Sequence, residues 1–239
     1  SLEIWDPLYR PGCQRVASGI APCASLSVSE KAGLAAAISP DAVHLFSLKG
    51  NEREKRFPIL RGWGDGSNVV LSKDGARMAA TIDLVTPSLW NLENDTVIQL
   101  TGHHSTVSNL AFDPESRRVA TCAEDGSIAI WDAATGERML YVDAHAGPVN
   151  SVRFSPDGRR LLSAATDKTA AVWNADSGQR LLALQGHENA VLEAIFDNAG
   201  TRIFTASEDR TIRIWNAETG APMGDRKSTR LNSSHGYIS

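Results

Sequence analysis

Three tryptophans of this chain, Trp131, Trp173 and Trp215, stand 42 residues apart at each step. Other residue types keep the same interval: His103, His145 and His187; Val107, Val149 and Val191; Phe112, Phe154 and Phe196; Asp125, Asp167 and Asp209; Gly136, Gly178 and Gly220. Self-similarity at a fixed period of this length predicts one structural unit that is copied and stacked. The repetition also favours a structural role for these residues, because a single active site needs no equal copies of its residues.

Within one repeat, apolar and polar residues alternate with the period of two that predicts β-strands. The four predicted strands of one copy are 149–154, 161–165, 169–173 and 180–184. Between the first two strands, Ser155-Pro156-Asp157-Gly158 has turn chemistry, since Pro presets φ and Gly accepts a positive φ. A sheet of four short strands buries too little apolar surface by itself, so neighbouring copies must cover its faces.

The ends of the repeats carry a family resemblance. Gly102-His103, Gly186-His187, Ile130-Trp131-Asp132, Val172-Trp173-Asn174 and Ile214-Trp215-Asn216 resemble WD repeats. The resemblance is strong over about 100–223 and weaker upstream, where Ile4-Trp5-Asp6 and Leu89-Trp90-Asn91 still fit. It implies an all-β fold, a β-propeller with one four-stranded antiparallel blade per repeat. The chain then holds about five blades of an expected seven, which is a partial propeller.

The resemblance also implies a hydrogen-bonded polar network in each repeat. Its predicted members are His103, Thr121, Asp125 and Trp131, then His145, Ser163, Asp167 and Trp173, and then His187, Thr205, Asp209 and Trp215. The four side chains are complementary, because the indole donates, the hydroxyl and neutral imidazole both donate and accept, and the carboxylate accepts. A network of this kind, once satisfied, fixes the geometry of its blade.

Taken alone, Ser163, His145 and Asp167 also fit the logic of a catalytic triad. The structural interpretation is preferred, because Thr replaces Ser in two of three copies and no G-x-S-x-G nucleophile elbow precedes them. We therefore predict no catalytic residue, no metal site and no cofactor. The Gly-rich loop around Trp63 is a weak phosphate-binding candidate, since no Lys follows in the required place.

The upstream repeats depart from this pattern. Phe46, 41 residues after Trp5 and 44 before Trp90, is expected at a tryptophan position. Pro87 falls inside the predicted third strand of its repeat, which implies an edge strand or a bulge. These blades are expected to pack through aliphatic residues, among them Leu34, Ile38, Val43, Leu45, Val70 and Leu71. Their divergence is either structural drift or the mark of a partner surface.

Both ends of the sequence interrupt the repeat. The sequence begins inside a third strand, and the apolar pattern of the last repeat stops in mid-strand. We expect a propeller over 1–225, with blade parts at about 1–17, 18–60, 61–100, 101–142, 143–184 and 185–225. Residues 226–239 have no repeat register and resemble adapter or vector read-through, so they are predicted to be a non-native or disordered tail.

Composition limits the partners. A formal net charge of −4 without a basic stripe argues against nucleic acid as a target. The three cysteines have no metal-ligand spacing, which favours free thiols in a reducing, cytoplasmic compartment. Since the sequence has no apolar run of membrane-spanning length, no membrane partner is predicted either.

The leading functional hypothesis is a non-enzymatic scaffold that binds a protein or peptide through loops at one end of the blades. The candidate contact residues are Trp63, His104, Ser105, Thr106, Glu124, Gly147, Pro148, Thr166, Glu188, Asn189 and Glu208. Trp63 is the best candidate anchor, although it could equally fold onto its own blade. The alternative is the sensor half of a larger bacterial ATPase, protease or kinase, whose other domains would be the partners. A propeller enzyme is the third and least favoured hypothesis.

Overall fold

The fold was analysed in a computed structural model that describes residues 2–4, 14–17, 25–39, 42–48, 55–58, 68–81 and 85–227. Every regular element in these residues is a β-strand. The strands are β1 (Leu2–Ile4), β2 (Gln14–Ala17), β3 (Ser25–Ser29), β4 (Leu34–Ile38), β5 (Ala42–Ser47), β6 (Lys55–Pro58), β7 (Val69–Leu71), β8 (Arg77–Ala80), β9 (Ser88–Asn91), β10 (Thr96–Gln99), β11 (Val107–Phe112), β12 (Arg118–Ala123), β13 (Ser127–Asp132), β14 (Arg138–Asp143), β15 (Val149–Phe154), β16 (Arg160–Ala165), β17 (Thr169–Asn174), β18 (Arg180–Gln185), β19 (Val191–Phe196), β20 (Arg202–Ser207), β21 (Thr211–Asn216) and β22 (Pro222–Lys227).

The strands form five antiparallel sheets of four, and each sheet contains four consecutive strands in sequence order. These sheets are named the first blade (β3–β6), second blade (β7–β10), third blade (β11–β14), fourth blade (β15–β18) and fifth blade (β19–β22). A separate two-stranded sheet pairs β1 with β2. The prediction of a partial β-propeller built of four-stranded antiparallel blades is confirmed.

The first strand of each blade faces a common cavity. β3, β7, β11, β15 and β19 all contribute to its lining, and its volume is about 970 Å³. The fourth strand lies at the other edge of each sheet, where Met139 of β14 and Leu181 of β18 are exposed. The blades are therefore arranged with their first strands innermost, as in a propeller.

Apolar cores lie between consecutive blades. Ile128 and Ile130 of the third blade pack in one cluster with Val152 and Trp173 of the fourth blade. The same arrangement recurs one repeat later, where Val172 packs in a cluster with residues of the fifth blade. Each sheet thus buries its apolar face against its neighbour, which explains why the repeats stabilise one another.

Arginines at the start of the second strands also join neighbouring blades. Arg118 Nη2 donates to the Gly158 carbonyl at 2.5 Å, and Arg160 Nη2 donates to the Gly200 carbonyl at 2.8 Å. Each guanidinium also lies over a phenylalanine of the next blade, Phe154 or Phe196. The 42-residue spacing of these arginines was visible in the sequence, but their role between blades was not predicted.

The repeated glycines before the fourth strands have a steric origin. Gly136 has a φ of 73°, and a Cβ atom there would lie 2.4 Å from Cγ2 of Ile98 in the second blade. Gly178, with a φ of 71°, would bring a Cβ to 2.8 Å from side-chain atoms of Leu140. Glycine is required in these turns because φ is positive and because the preceding blade leaves no room for a Cβ atom.

Two upstream expectations have different outcomes. Phe46 pairs with Ala35 as Trp90 pairs with Met78, so the register places Phe46 at the tryptophan position. The expectation for Pro87 was wrong. β9 begins at Ser88, lies inside its sheet and pairs with both neighbours in regular register, because Pro87 precedes the strand and interrupts no ladder bond.

The end of the fifth blade reaches past the expected boundary at 225. β22 continues to Lys227, which pairs with Thr211. Residues 228–239 lie outside the described residues, as do Trp5 and most of the first 24 residues.

Candidate functional site

The fourth blade brings its four predicted polar residues into one chain of hydrogen bonds. Trp173 Nε1 donates to Ser163 Oγ at 2.8 Å, and Ser163 Oγ lies 2.7 Å from His145 Nε2. His145 Nδ1 lies 3.0 Å from Asp167 Oδ2. A carboxylate only accepts, so Nδ1 carries the proton and Nε2 accepts the hydroxyl proton of Ser163. A neutral imidazole therefore satisfies every bond in the chain.

The fifth blade repeats this arrangement. Trp215 Nε1 donates to Thr205 Oγ1 at 2.9 Å, Thr205 Oγ1 lies 2.7 Å from His187 Nε2, and His187 Nδ1 lies 2.7 Å from Asp209 Oδ2. The sequence positions are 42 residues later than in the fourth blade. The same residue types in the same register thus reproduce the same geometry.

In the third blade, a serine hydroxyl lies between the imidazole and the carboxylate. Trp131 Nε1 donates to Thr121 Oγ1 at 2.8 Å, and His103 Nε2 lies 2.6 Å from the same oxygen. His103 Nδ1 meets Ser127 Oγ at 3.1 Å, and Ser127 donates to Asp125 Oδ1 at 2.6 Å. The carboxylate of Asp125 therefore interacts with the imidazole through a hydroxyl, and the three networks are not identical.

Sequence reasoning missed a fifth member of each network. Ser127, Thr169 and Thr211 stand 42 residues apart, two positions after the aspartates. Thr169 Oγ1 donates to Asp167 Oδ1 at 2.7 Å and lies 3.1 Å from His145 Nδ1. The interval that identified the other members would have identified these hydroxyls too, although the substitution of Thr by Ser hides the repetition.

Burial controls the charge state of two of the histidines. Removal from water lowers the pKa of His103 to about 4, against a smaller opposing effect of Asp125. The pKa of His145 is also lowered, chiefly by burial, although Asp167 acts in the opposite direction. Burial acts to raise the pKa of Asp209, but hydrogen bonds from Thr211, His187 and backbone amides outweigh it and hold that pKa far below its usual value. At neutral pH the imidazoles of His103 and His145 are therefore neutral, and the carboxylate of Asp209 is ionised.

The order of residues from Ser163 through His145 to Asp167 is that of a catalytic triad, but the hydroxyl in the position of the nucleophile is buried. Ser163 is fully buried, and its oxygen accepts the indole N–H of Trp173. Because Ser163 has no exposed surface, a substrate carbonyl cannot contact that oxygen in this conformation. Buried Cys122 offers no alternative nucleophile, since burial raises the pKa of its thiol to about 12.

The networks also fix loops at one end of the blades. Asp167 Oδ2 accepts the backbone N–H of Ala146 at 3.2 Å, and Asp209 Oδ2 accepts that of Glu188 at 3.0 Å. Each carboxylate thereby ties the loop that enters the first strand to the turn that follows the second strand. We call this end the loop face, and in the third to fifth blades it comprises residues 101–106, 124–126, 144–148, 166–168, 186–190 and 208–210.

All candidate contact residues in the described part of the chain lie on the loop face. The exposed ones are His104, Glu124, Pro148, Thr166, Glu188, Asn189 and Glu208, and the partly buried ones are Ser105, Thr106 and Gly147. Trp63, the favoured anchor, lies outside the described residues. Exposed charges on this face are mostly carboxylates: Glu124 and Glu208 occupy equivalent positions of the third and fifth blades, and Glu188 lies in the loop before β19. Lys168 and Arg210 are exposed basic residues of the same face.

Among the described residues, no three His, Cys, Asp or Glu side chains are grouped in a way that could hold a metal ion. The same residues contain no helix with the length and hydropathy needed to cross a membrane.

Comparison with known proteins agrees with the repeated geometry. The family described as "WD domain, G-beta repeat" matches residues 94–132, 136–174 and 178–216. Protein HIRA of Dictyostelium discoideum is 27% identical over 154 residues, which are 55% of this chain and 12% of that protein. WD repeat-containing protein 90 of Homo sapiens is 31% identical over 79 residues, 32% of this chain and 4% of that protein. Ribosome assembly protein 4 of Saccharomyces cerevisiae is 34% identical over 62 residues, 25% of this chain and 12% of that protein. The chain thus spans only a small part of the length of these relatives.

Proposed function

This chain belongs to the WD-repeat family, and from that premise we propose that it is a non-enzymatic scaffold that binds a protein or peptide on its loop face. WD-repeat relatives are in general interaction or scaffold proteins, which supports the class of function but names no partner. A β-propeller by itself does not decide function, so the proposal depends on the properties of the loop face.

The observation that carries the proposal is that exposed loops are held by buried networks. Ala146 and Glu188 are exposed at the surface, yet their backbone N–H groups are bound by Asp167 and Asp209. A preorganised loop loses less conformational entropy when a partner binds, which increases affinity. The proposed role of the His–hydroxyl–Asp–Trp networks is therefore to stabilise the blades and to present this face.

Charge on the loop face indicates the chemistry of the partner. The exposed carboxylates of Glu124, Glu188 and Glu208 attract Lys and Arg side chains, and complementary charge of this kind raises association rates. Nucleic acid is disfavoured by the same carboxylates, because its phosphates would be repelled. We propose a protein segment that presents basic residues.

The test compares two charge reversals. In the first variant, Glu124, Glu188 and Glu208 are changed to Lys. In the matched control, Glu115, Glu137 and Glu218, which are exposed in turns at the opposite end of the blades, are changed to Lys. Each protein is used as bait in quantitative affinity capture, and its melting temperature is measured in parallel.

We expect the loop-face variant to lose specific partners that the control retains, with both melting temperatures close to the original. The lost partners should bind the original chain directly when purified, and the affinity should fall with rising salt concentration. Equal retention of every partner by both variants would reject the loop face as the binding site.

A second candidate is a regulatory propeller within a longer signalling protein. It is favoured by the relatives, in which the aligned repeats cover only 4–12% of the protein. The test is to read the complete gene for a P-loop, G-x-x-x-x-G-K-[ST], or another catalytic signature. A reading frame that contains WD repeats alone would remove this candidate.

A further inference from the structure

The outer strand of the second blade, β10, lies between two blades of the chain and is accessible along its free edge. Ile98 of β10 packs against the turn at Gly136 of the third blade. On the other side, Lys55 of the first blade donates to Asp95 Oδ1, just before β10, at 2.9 Å. Val97 is nevertheless 51% exposed. The edge of β10 therefore stays open with both neighbouring blades in place.

The backbone of β10 has hydrogen-bonding groups that its own sheet does not use. Leu100 N–H donates to the Pro87 carbonyl at 2.9 Å, which joins the end of β10 to the start of β9. Bonded and non-bonded pairs alternate along an antiparallel ladder, so Ile98 also bonds to β9, whereas the backbone groups of Val97 and Gln99 point away from the sheet. Within the described residues, the N–H groups of Val97 and Gln99 have no hydrogen-bond partner. A further strand can therefore bond to β10 directly.

Every other outer strand of the described blades has a feature that opposes edge pairing. In the third, fourth and fifth blades the register shifts beside the tryptophan, so each outer strand carries one extra residue, such as Met139 in β14. The outer strand of the first blade contains Lys55, Arg56 and Pro58. β10 has the sequence Thr-Val-Ile-Gln and pairs in regular register. Bulges, charged residues and prolines are the usual protections of a sheet edge, and β10 has none of them.

Opposite charges lie at the two ends of β10. Glu93 and Asp95 are exposed in the turn before the strand, and Lys55 balances one of these two carboxylates. Beyond the other end, exposed Arg138 of the third blade donates from Nη1 to the Gly102 carbonyl at 3.1 Å. The start of the strand is therefore acidic and its end is basic. Two such strands in antiparallel order place each acidic end beside a basic end, which favours a second copy of β10 as the partner.

We propose that two copies of this chain associate by antiparallel pairing of β10 with β10, around a two-fold axis at Ile98. Val97 of each copy then lies opposite Gln99 of the other, and the two residues exchange hydrogen bonds. The Gln99 carbonyl accepts the Thr101 N–H at 3.1 Å and has a second lone pair for the new bond. A register centred on Val97 is disfavoured, because it pairs Gln99 with Asp95, whose φ of 56° is not that of a strand.

This contact is isologous, so it closes at a dimer and forms no longer chains. Pairing on both sides of the axis gives about four backbone hydrogen bonds and a small interface, and we expect a dissociation constant on the order of 100 µM. The paired strands run in opposite directions, so the loop faces of the two copies point away from each other. The inference does not depend on what the loop face binds.

The test measures dimer formation by sedimentation velocity from about 10 µM to 1 mM for the whole chain and two variants of one residue. Val97→Pro removes an outward N–H without breaking a bond to β9, and Val97→Lys places a charge on the edge. Each variant should weaken association by about tenfold or more. Circular dichroism checks the fold, and Val97→Lys decides the result if the proline variant unfolds. The matched control is Leu181→Lys, at a half-exposed apolar position of bulged β18, which should dimerise like the original chain.

Hydrogen exchange identifies the strand that pairs. Protection of the Val97 and Gln99 amides should increase with protein concentration as the dimer forms. The Ile98 amide, which already bonds to β9, should not change and serves as the internal control. Dimers that leave the exchange of Val97 and Gln99 unaltered would use another surface and would contradict the proposal.

Exchange of the two end charges tests the antiparallel order. Glu93→Arg and Arg138→Glu should each weaken the dimer by about threefold, and a chain with both changes should recover part of the lost association. The proposal is overturned by an original chain that stays monomeric at about 1 mM, by a Val97→Lys variant that dimerises like the original, or by a double charge exchange that recovers nothing.

Discussion

The third to fifth blades and the first two blades reach the same four-stranded geometry with different interiors. In the third to fifth blades a buried indole donates to Thr121, Ser163 or Thr205. At the register-equivalent position, the second blade has Ala80 and the first blade has Ala37. There the core is aliphatic and aromatic, and Ile38, Val43, Met78 and Trp90 pack in one cluster.

The polar network is therefore not required to form a blade. What the network adds in the fourth and fifth blades is a bond to a loop, since Asp167 and Asp209 hold the N–H groups of Ala146 and Glu188. The first blade contains another polar pair, in which His44 Nε2 lies 2.8 Å from Ser39 Oγ. Apolar packing thus suffices for the sheet, while the network links its interior to the loop face.

The largest expected effect is at the tryptophan of a networked blade. Trp173→Ala removes a side chain that is 4% exposed and leaves the Ser163 oxygen without its indole donor. We expect a loss of about 3–5 kcal/mol in the free energy of unfolding, chiefly from the cavity. Urea unfolding followed by far-ultraviolet circular dichroism measures this loss.

Phenylalanine substitutions separate packing from hydrogen bonding. Trp173→Phe retains most of the ring but removes the bond to Ser163, whereas Trp90→Phe removes no bond to a hydroxyl at position 80, which is Ala80. The free energy of unfolding should fall by about 1 kcal/mol more in the first variant than in the second. Equal costs would show that the two regions differ in sequence but not in energetics.

Acid should also distinguish the two regions, with an effect between those of the alanine and phenylalanine substitutions. The pKa of His103 is about 4 in the folded chain, against 6.5 without burial, so the folded state favours the neutral imidazole. As the pH falls below 6.5 the unfolded chain binds a proton that the folded chain does not, and stability is lost. Between pH 7 and pH 5, protonation of this one residue in the unfolded chain should lower the free energy of unfolding by roughly 2 kcal/mol. Asp167 and Asp209 stay ionised in this range, because their pKa values are lowered.

The control for the acid effect is His103→Gln, which keeps polar atoms in the same place without a titratable group. Its stability should change less between pH 7 and pH 5 than that of the original chain, as measured by urea unfolding at each pH. Hydrogen exchange should show protection falling first in the third and fourth blades, which contain His103 and His145. A pH profile that the substitution leaves unaltered would exclude His103 as the source.

The sequence predicted the fold because the period of 42 residues is a direct record of stacked units. Alternation within 149–154 gave the bounds of β15 correctly, and the need to cover each sheet implied neighbouring blades. Pro87 was misjudged because a proline can stand one residue before a strand as readily as inside it, and local chemistry does not separate the two. Register depends on the pairing of distant residues, so it appears only in the structure.

The polar networks were partly predictable for a related reason. Repetition and donor–acceptor chemistry selected Ser163, His145 and Asp167, but neither reveals which atoms meet. The relay through Ser127 in the third blade could not be inferred, since it depends on small shifts in side-chain position. The arginines between blades were missed because their partners, such as the Gly158 carbonyl, are backbone atoms that no sequence pattern marks.

The smallest expected effect compares two aspartates and tests the link between network and loop. Asp209→Ala should cost more than Asp125→Ala, by about 1 kcal/mol, because Asp209 binds His187 and the Glu188 N–H directly. His103 does not depend on Asp125 in the same way, since its Nδ1 is bound to Ser127. Thermal unfolding of both variants measures the difference.

Hydrogen exchange at the Glu188 amide shows whether the stability lost in Asp209→Ala comes from the loop or from the sheet. If Asp209 fixes the loop, exchange at that amide should accelerate in Asp209→Ala while amides of β20 and β21 stay protected, since the sheet is held by its own ladder and by apolar packing. Acceleration spread evenly over the fifth blade would mean instead that the carboxylate stabilises the sheet itself. In that case the separation between a packed interior and a loop-fixing network would be lost, and the networked blades would differ from the upstream ones in stability alone.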